Sequence, residues 1–146
     1  MSIYNFVTIN PGTHFRDLCD YLSLPIGVVQ YHLGLLTRAG LLSIRRDGRY
    51  KRYFENRRFT EAEMKVISLL RHETAGKILA ILMEKQAVFH RDLATQLKIS
   101  SQALTWQINH LKKTGLVKSL TEGMRVKYFL KEENRATVRQ CIELIN

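Results

Sequence analysis

The chain contains one long internal repeat. Residues 3–70 align with residues 78–145 without a gap, and the matching positions are apolar residues, glycines and the ends of strand-like runs. The identical pairs include Ile3/Ile78, Arg16/Arg91, Asp17/Asp92, Leu18/Leu93, Leu22/Leu97, Leu36/Leu111, Gly40/Gly115, Leu41/Leu116, Gly48/Gly123, Tyr53/Tyr128, Phe54/Phe129 and Ile67/Ile142. A repeat of this length indicates two copies of one small folding unit. We therefore predict two domains, residues 1–73 and residues 74–146.

Each copy shows the same order of predicted elements: helix, helix, turn, helix, hairpin, helix. The second helix carries leucines four residues apart on one face, and the third carries an apolar seam at i, i+4 and i+7. In the first copy the three helices cover about residues 3–9, 14–22 and 26–39, and "NPG" at 10–12 breaks the first of them. In the second copy they cover about residues 77–85, 89–97 and 101–114.

Helix-end residues support these assignments. Ser100 is a good N-cap for the third helix of the second copy, and Pro25 suits a helix start at the same place in the first. Thr60 and Glu63 form a capping box that begins the closing helix of the first copy. Gly40 and Gly115 end the third helices in the way of C-terminal glycines.

A hairpin follows the third helix in each copy. The runs "LLSIRRDGRYKRYF" and "LVKSLTEGMRVKYF" each turn at an acidic residue and a glycine, a strong hairpin signal. Strand alternation puts Arg49, Lys51 and Tyr53 on one face and Tyr50, Arg52 and Phe54 on the other. Tyr53 and Phe54 are expected in the core. The predicted fold class is mainly α with short β-hairpins (α+β).

Composition limits the function. The net charge of +10 favours a polyanionic partner, either nucleic acid or an anionic membrane surface. No apolar run approaches the length of a membrane span, and the N-terminus does not resemble a secretory signal. Two cysteines cannot form a disulfide framework, so the cytoplasm is the expected compartment.

The stretch "QYHLGLLTRAGLL" followed by a basic Asp-Gly hairpin resembles the ArsR/MarR-like winged helix-turn-helix regulators, and most closely the tandem winged-helix proteins of archaea. The resemblance covers residues 3–55 strongly and 78–130 more loosely. It departs from the usual pattern at Pro25, where a Ser or Thr cap is common, and at Thr121 and Glu122 in the second hairpin. It implies two tandem winged helix-turn-helix domains that bind double-stranded DNA, with the third helices in the major groove and the hairpins as wings.

The third helices supply one set of candidate DNA-binding residues. In the first copy these are Gly27, Gln30, Tyr31, Gly34 and Arg38, and in the second Ser101, Gln102, Thr105, Trp106, Asn109 and Lys113. Amides can bond adenine edges, and apolar groups can contact thymine methyls. The alternative for Tyr31 and Trp106 is packing against their own wing or against the other copy.

The wings supply the candidate phosphate contacts. The candidates are Arg45, Arg46, Arg49, Lys51 and Arg52 in the first wing and Arg125 and Lys127 in the second. The tip of the first wing, from Arg46 to Arg49, is the best candidate for a phosphate or minor-groove contact. The alternative is a solvated hairpin whose charges only keep the chain soluble.

The sequence offers no support for catalysis. The five histidines are scattered, and there is no carboxylate pair or glycine-rich phosphate loop. His32 is expected to be structural, and Cys19 and Cys141 are expected in the core, since Ala94 and Val66 occupy the equivalent positions. We therefore expect no enzyme activity, no cofactor and no metal site.

The sequence thus predicts a sequence-specific, double-stranded DNA-binding transcriptional regulator, cytoplasmic and nucleoid-associated, without a membrane partner. Two alternatives stay open: a chromatin-like protein that coats DNA with little sequence preference, and a winged-helix module that binds another protein. The two copies could imitate a dimer within one chain, or chains could form homodimers. Target sequence, effector, direction of control and whether the chain is a fragment are not specified by the sequence.

Overall fold

A computed structural model describes residues 2–145 and shows the same succession of elements twice. The first set consists of α1 (Ile3–Ile9), β1 (Thr13–His14), α2 (Phe15–Leu22), α3 (Ile26–Arg38), β2 (Leu42–Asp47), β3 (Tyr50–Glu55) and α4 (Glu61–Leu70). The second consists of α5 (Glu73–Glu84), β4 (Val88–Phe89), α6 (His90–Leu97), α7 (Ser101–Lys113), β5 (Val117–Glu122), β6 (Arg125–Leu130), a 3-10 turn (Glu132–Asn134) and α8 (Arg135–Ile145). The predicted fold class is confirmed.

The strands and the second and third helices of the two units begin and end at positions that the repeat alignment makes equivalent. The shift that pairs residue 3 with residue 78 superimposes every strand of the first set on a strand of the second, and α2 and α3 on α6 and α7. The chain divides into two compact units between Arg71 and His72. Because α5 begins at Glu73, a boundary after residue 73 would fall inside its first turn. α5 also starts four residues before its predicted start.

Each unit contains a three-stranded antiparallel sheet, with the orders β1-β3-β2 and β4-β6-β5. The sequence predicted only the two hairpin strands. β1 and β4 have two residues each, and they pair through Thr13 with Tyr53 and through Val88 with Tyr128. Gly12 makes the entry to β1 possible, because its φ is +82° and a Cβ there would lie 2.8 Å from the Ile67 side chain.

The predicted seams form the cores. In the first unit Val29 and Leu33 of α3 are buried, and Leu36 packs against the same cluster. The buried residues of this cluster are Ile3, Phe6, Val7, Leu18, Val29, Leu33, Leu42 and Tyr53. In the second unit the seam of α7, Leu104, Ile108 and Leu111, is buried with Leu79, Leu82 and Leu93. Full burial of Phe54 and Cys141 confirms their assignment to the core, whereas Cys19 is only partly buried.

The predicted helix ends are present. Ser100 Oγ accepts a hydrogen bond from the Ala103 amide at 3.1 Å. Thr60 and Glu63 form the reciprocal capping box. Gly40 and Gly115 follow α3 and α7 with φ of +77° and +82°, a backbone conformation that glycine adopts at little cost. The two glycines mark where α3 and α7 end, and so where each wing begins.

Candidate nucleic-acid interface

An open groove lies beside α3 in the first unit, between that helix, the start of α2 and the first wing (residues 42–55). We call it groove 1. Its volume is about 940 Å³. Its lining includes His14, Phe15, Arg16, Gln30, Gly34, Thr37, Arg38, Ile44, Arg46, Arg49, Tyr50 and Lys51. α3 therefore presents its Gln30–Gly34–Arg38 side towards the wing.

Groove 1 is strongly positive. Five cationic side chains line it and no carboxylate does. None of the five takes part in an ion pair within residues 2–145: Arg16, Arg38, Arg46, Arg49 and Lys51. Cations without carboxylate partners on an open surface attract polyanions. The groove thus has the electrostatics of a phosphate-binding surface.

The other two arginines of the first wing are engaged within the protein. Arg52 is 3% exposed; its Nε donates to Asp47 Oδ2 at 2.7 Å, and its Nη1 donates to the Gly12 carbonyl at 2.9 Å. The expectation that Arg52 binds phosphate is therefore wrong, because the guanidinium is a buried tie between the wing and the entry to β1. Arg45 donates to Glu61 Oε1 at 2.8 Å and is largely covered.

The outer surface of α3 is accessible. Tyr31 is 62% exposed, and Gly27, Gln30 and Arg38 are exposed as well. Tyr31 is therefore mostly uncovered by its own wing, and its ring contacts that of the neighbouring His32, with 5.7 Å between the ring centroids. A Cβ at Gly27 would meet no atom within 4 Å, and at Gly34 its nearest neighbour would be the end of the flexible Arg38 side chain at 3.2 Å. Packing within the protein thus requires neither glycine.

The corresponding surface of α7 is more polar. Trp106 is 61% exposed, and its ring meets the edge of His110, with 4.2 Å between the ring centroids. The remaining candidates on this helix are also exposed: Ser101, Gln102, Thr105, Asn109 and Lys113. An amide, a hydroxyl and an indole therefore share one accessible helix face, as base-edge contacts require.

A second groove, which we call groove 2, occupies the equivalent place in the second unit. It is smaller, about 560 Å³, and it is lined by Phe89, His90, Arg91, Thr105, Met124, Arg125, Val126 and Tyr128. Arg125 lies over the Phe89 ring at 3.6 Å from the centroid. Lys127 pairs with Glu122 at 2.7 Å. The second wing (residues 117–130) thus has an apolar tip, where Met124 is fully exposed, and both of its predicted phosphate ligands are engaged.

Arg16 and Arg91 line the grooves of both units, and the sequence interpretation did not assign them to the site. They are an identical pair of the repeat and lie in the first turn of α2 and α6. The sequence could have indicated these two arginines, because both copies of the repeat have an arginine at this position. His14 and Ile44 also line groove 1 and had no comparable signal.

No group of three His, Cys, Asp or Glu side chains within residues 2–145 is arranged to hold a metal ion. Over the same residues, no helix combines the length and the apolar character needed to cross a membrane.

Comparison with known proteins agrees with the fold of each unit. Residues 1–67 match a family described as an N-terminal HTH domain, and residues 71–118 match the family described as winged helix-turn-helix DNA-binding. The uncharacterized HTH-type transcriptional regulator MJ1398 of Methanocaldococcus jannaschii is 30% identical over 132 residues. That alignment covers 89% of this chain but 32% of the relative, so the chain spans about a third of its length.

Two solved structures of HlyU are similar. HlyU from Vibrio cholerae N16961 is 26% identical with a TM-score of 0.50, over 57% of this chain and 91% of that one. HlyU from Vibrio vulnificus CMCP6 is 28% identical with a TM-score of 0.49, over 58% and 90% of the two chains. Helices, three-stranded sheets, wings and both family matches agree: the chain consists of two tandem winged helix-turn-helix domains.

Proposed function

We propose that the protein is a transcriptional regulator that binds double-stranded DNA. The observation that carries this proposal is groove 1, where five cations without ion-pair partners flank an exposed helix face. α3 and α7 enter the major groove, and the first wing contacts phosphates or the minor groove. A role in regulation is supported by the name of the M. jannaschii relative and by the DNA-binding family that residues 71–118 match.

The two helices differ in how they contact bases. α7 exposes Gln102 and Asn109, whose amides can form paired hydrogen bonds with adenine, and Thr105, whose methyl group suits thymine. α3 offers Gln30 and Tyr31 beside two glycines that packing does not require. Glycine inside a helix costs about 0.5–1 kcal/mol relative to alanine. In the proposed complex, Gly34 lets α3 approach DNA closely.

A second candidate function is docking of another protein on α3. This helix exposes Ile26, Val28 and Leu35, which are 62%, 39% and 40% accessible. The equivalent residues of α7 are Ser101, Ala103 and His110, so the apolar surface belongs to the first unit alone. The five cations beside it favour DNA as the primary partner.

Selection of bound duplexes from a random DNA library, followed by a salt series, tests the proposal. We expect a defined motif, and a log–log dependence of affinity on salt with a slope of roughly −4 to −5, because about five phosphates release counterions. Binding without a motif would indicate a coating protein. Affinity that does not change with salt would contradict DNA binding and leave protein docking.

Replacing Tyr31 or Trp106 by Ala is expected to weaken binding to the selected duplex more than to a random one, by about 1–3 kcal/mol if they help to read bases. Both variants should stay folded, because each side chain is more than half exposed. Anisotropy titrations on the two duplexes, with circular dichroism as the folding control, measure this difference. An equal loss on both duplexes would contradict a role in base reading.

A further inference from the structure

Three polar side chains form a hydrogen-bonded chain, and two of them, His90 and Tyr128, line groove 2. The ring of His90 lies between Tyr128 and Ser101: Nδ1 is 2.8 Å from Tyr128 Oη, and Nε2 is 2.9 Å from Ser101 Oγ. His90 begins α6, Ser101 begins α7 and Tyr128 lies on β6. A single imidazole thus connects the wing to the proposed recognition helix.

The first unit has no such chain. Its equivalent residues are Phe15, Ile26 and Tyr53, and the first two are apolar. The fold of a unit therefore does not depend on an imidazole at this position. The polar connection therefore belongs to the second unit.

Whether Nε2 of His90 carries a hydrogen determines whether the Ser101 hydroxyl can donate a hydrogen bond to a ligand. If Nε2 is unprotonated, it accepts the hydroxyl hydrogen of Ser101, and Ser101 has no hydrogen left for a ligand. If Nε2 carries a hydrogen, it donates to Ser101 Oγ, and the hydroxyl hydrogen is free to bind an anion. The imidazolium has hydrogens on both nitrogens, so it always leaves the Ser101 hydroxyl free and adds a positive charge.

The surroundings suit this role. Ser101 is exposed, so its free hydrogen can reach a ligand. The charged and titratable groups that share groove 2 with His90 are Arg91, Arg125 and Tyr128, and no carboxylate lines it. Burial raises the pKa of Tyr128, so its hydroxyl stays neutral between pH 5 and pH 8. Nearby, Asp92 follows on α6, and Lys127 on β6 is paired with Glu122.

We infer that His90 is a positioning residue of the DNA interface: it holds the Ser101 hydroxyl as a hydrogen-bond donor to a backbone phosphate, and its protonation strengthens that contact. This inference rests on the proposed function. An anion at Ser101 favours the charged imidazole, so affinity is higher when His90 is protonated and falls as the pH rises. One additional screened charge near a phosphate predicts that affinity is roughly three- to tenfold higher with the charged imidazole than with the neutral one.

The test measures affinity for the selected duplex and for a random duplex at pH 5.5, 6.5 and 8 and at constant ionic strength. His90→Gln can keep a hydrogen bond to Ser101 without titrating, and His90→Phe reproduces Phe15 of the first unit. Both variants should lose most of the gain at low pH on both duplexes, because a phosphate contact is independent of sequence. His72→Gln replaces a histidine that lines neither groove, so it is the matched control and should keep the gain.

The double variant Ser101→Ala/His90→Gln completes the test. Its loss of affinity at pH 5.5 should be smaller than the product of the two single losses, because His90 has no hydroxyl to position once Ser101 is removed. An unchanged gain at low pH in His90→Gln, or fully independent losses, would overturn the inference and leave DNA binding intact. Absence of binding by the unmodified protein at every pH would overturn both.

Discussion

Replacing Arg46 and Arg49 together by Ala is expected to lower affinity about 30-fold at 0.15 M salt, on any DNA sequence. Each lost phosphate contact removes a factor of about 5.5 at this salt, because affinity scales with salt to the power of about −0.9 per contact. Both side chains line groove 1 without an ion-pair partner. The salt slope should also shrink by about one to two.

The second wing supplies the matched control. Arg125→Ala with Lys127→Ala removes the same number of cations, but Arg125 lies over Phe89 and Lys127 pairs with Glu122. We expect this double variant to lose less than about fivefold, the contribution of one phosphate contact. Parallel salt series on both variants measure the difference. Equal losses, or a larger loss from the second wing, would show that the first wing is only a solvated hairpin.

Arg52→Met is expected to lower the free energy of unfolding by about 2–4 kcal/mol. The substitution removes the guanidinium that joins the Asp47 carboxylate to the Gly12 carbonyl, and the buried Gly12 carbonyl loses its donor, which is costly. Urea denaturation, monitored separately for each unit, measures the loss. We expect it only in the transition of the first unit, because Arg52 ties together two elements of that unit.

Arg45→Met is the control for this change. Arg45 lies directly opposite Arg52 in the β2–β3 pair, so both substitutions replace the same kind of wing arginine. The partner of Arg45 is Glu61, whose side chain is 74% exposed, and exposed pairs contribute about 0–1 kcal/mol. Equal destabilisation by the two variants would contradict the structural role of Arg52.

Arg45, Arg46 and Arg52 differ in their partners, and the sequence alone does not predict that difference. Helix faces, caps and hairpin turns depend on local spacing, so periodicity and a few glycines predicted them. The wing cations look alike in sequence, and their partners lie elsewhere in the chain: the Gly12 carbonyl is 40 residues from Arg52, and Glu61 is 16 from Arg45. Which cations stay free for DNA therefore depends on tertiary contacts.

The short outer strands and the His90 chain were missed for related reasons. β1 and β4 have two residues each, too few to show alternation. They form because the central strand offers them an unpaired edge, which only the folded sheet provides. His90 looked like one of five scattered histidines, since its two partners lie 11 and 38 residues away.

The difference between groove 1 and groove 2 affects the symmetry of the DNA sequence that the protein is expected to bind. Identical subunits related by a two-fold axis favour palindromic DNA, because each half of the site meets the same surface. Here one chain presents a cationic groove beside α3 and a mixed apolar one beside α7. The element bound by a single chain is therefore expected to have unlike halves, one constrained mainly along its backbone and the other mainly by its bases.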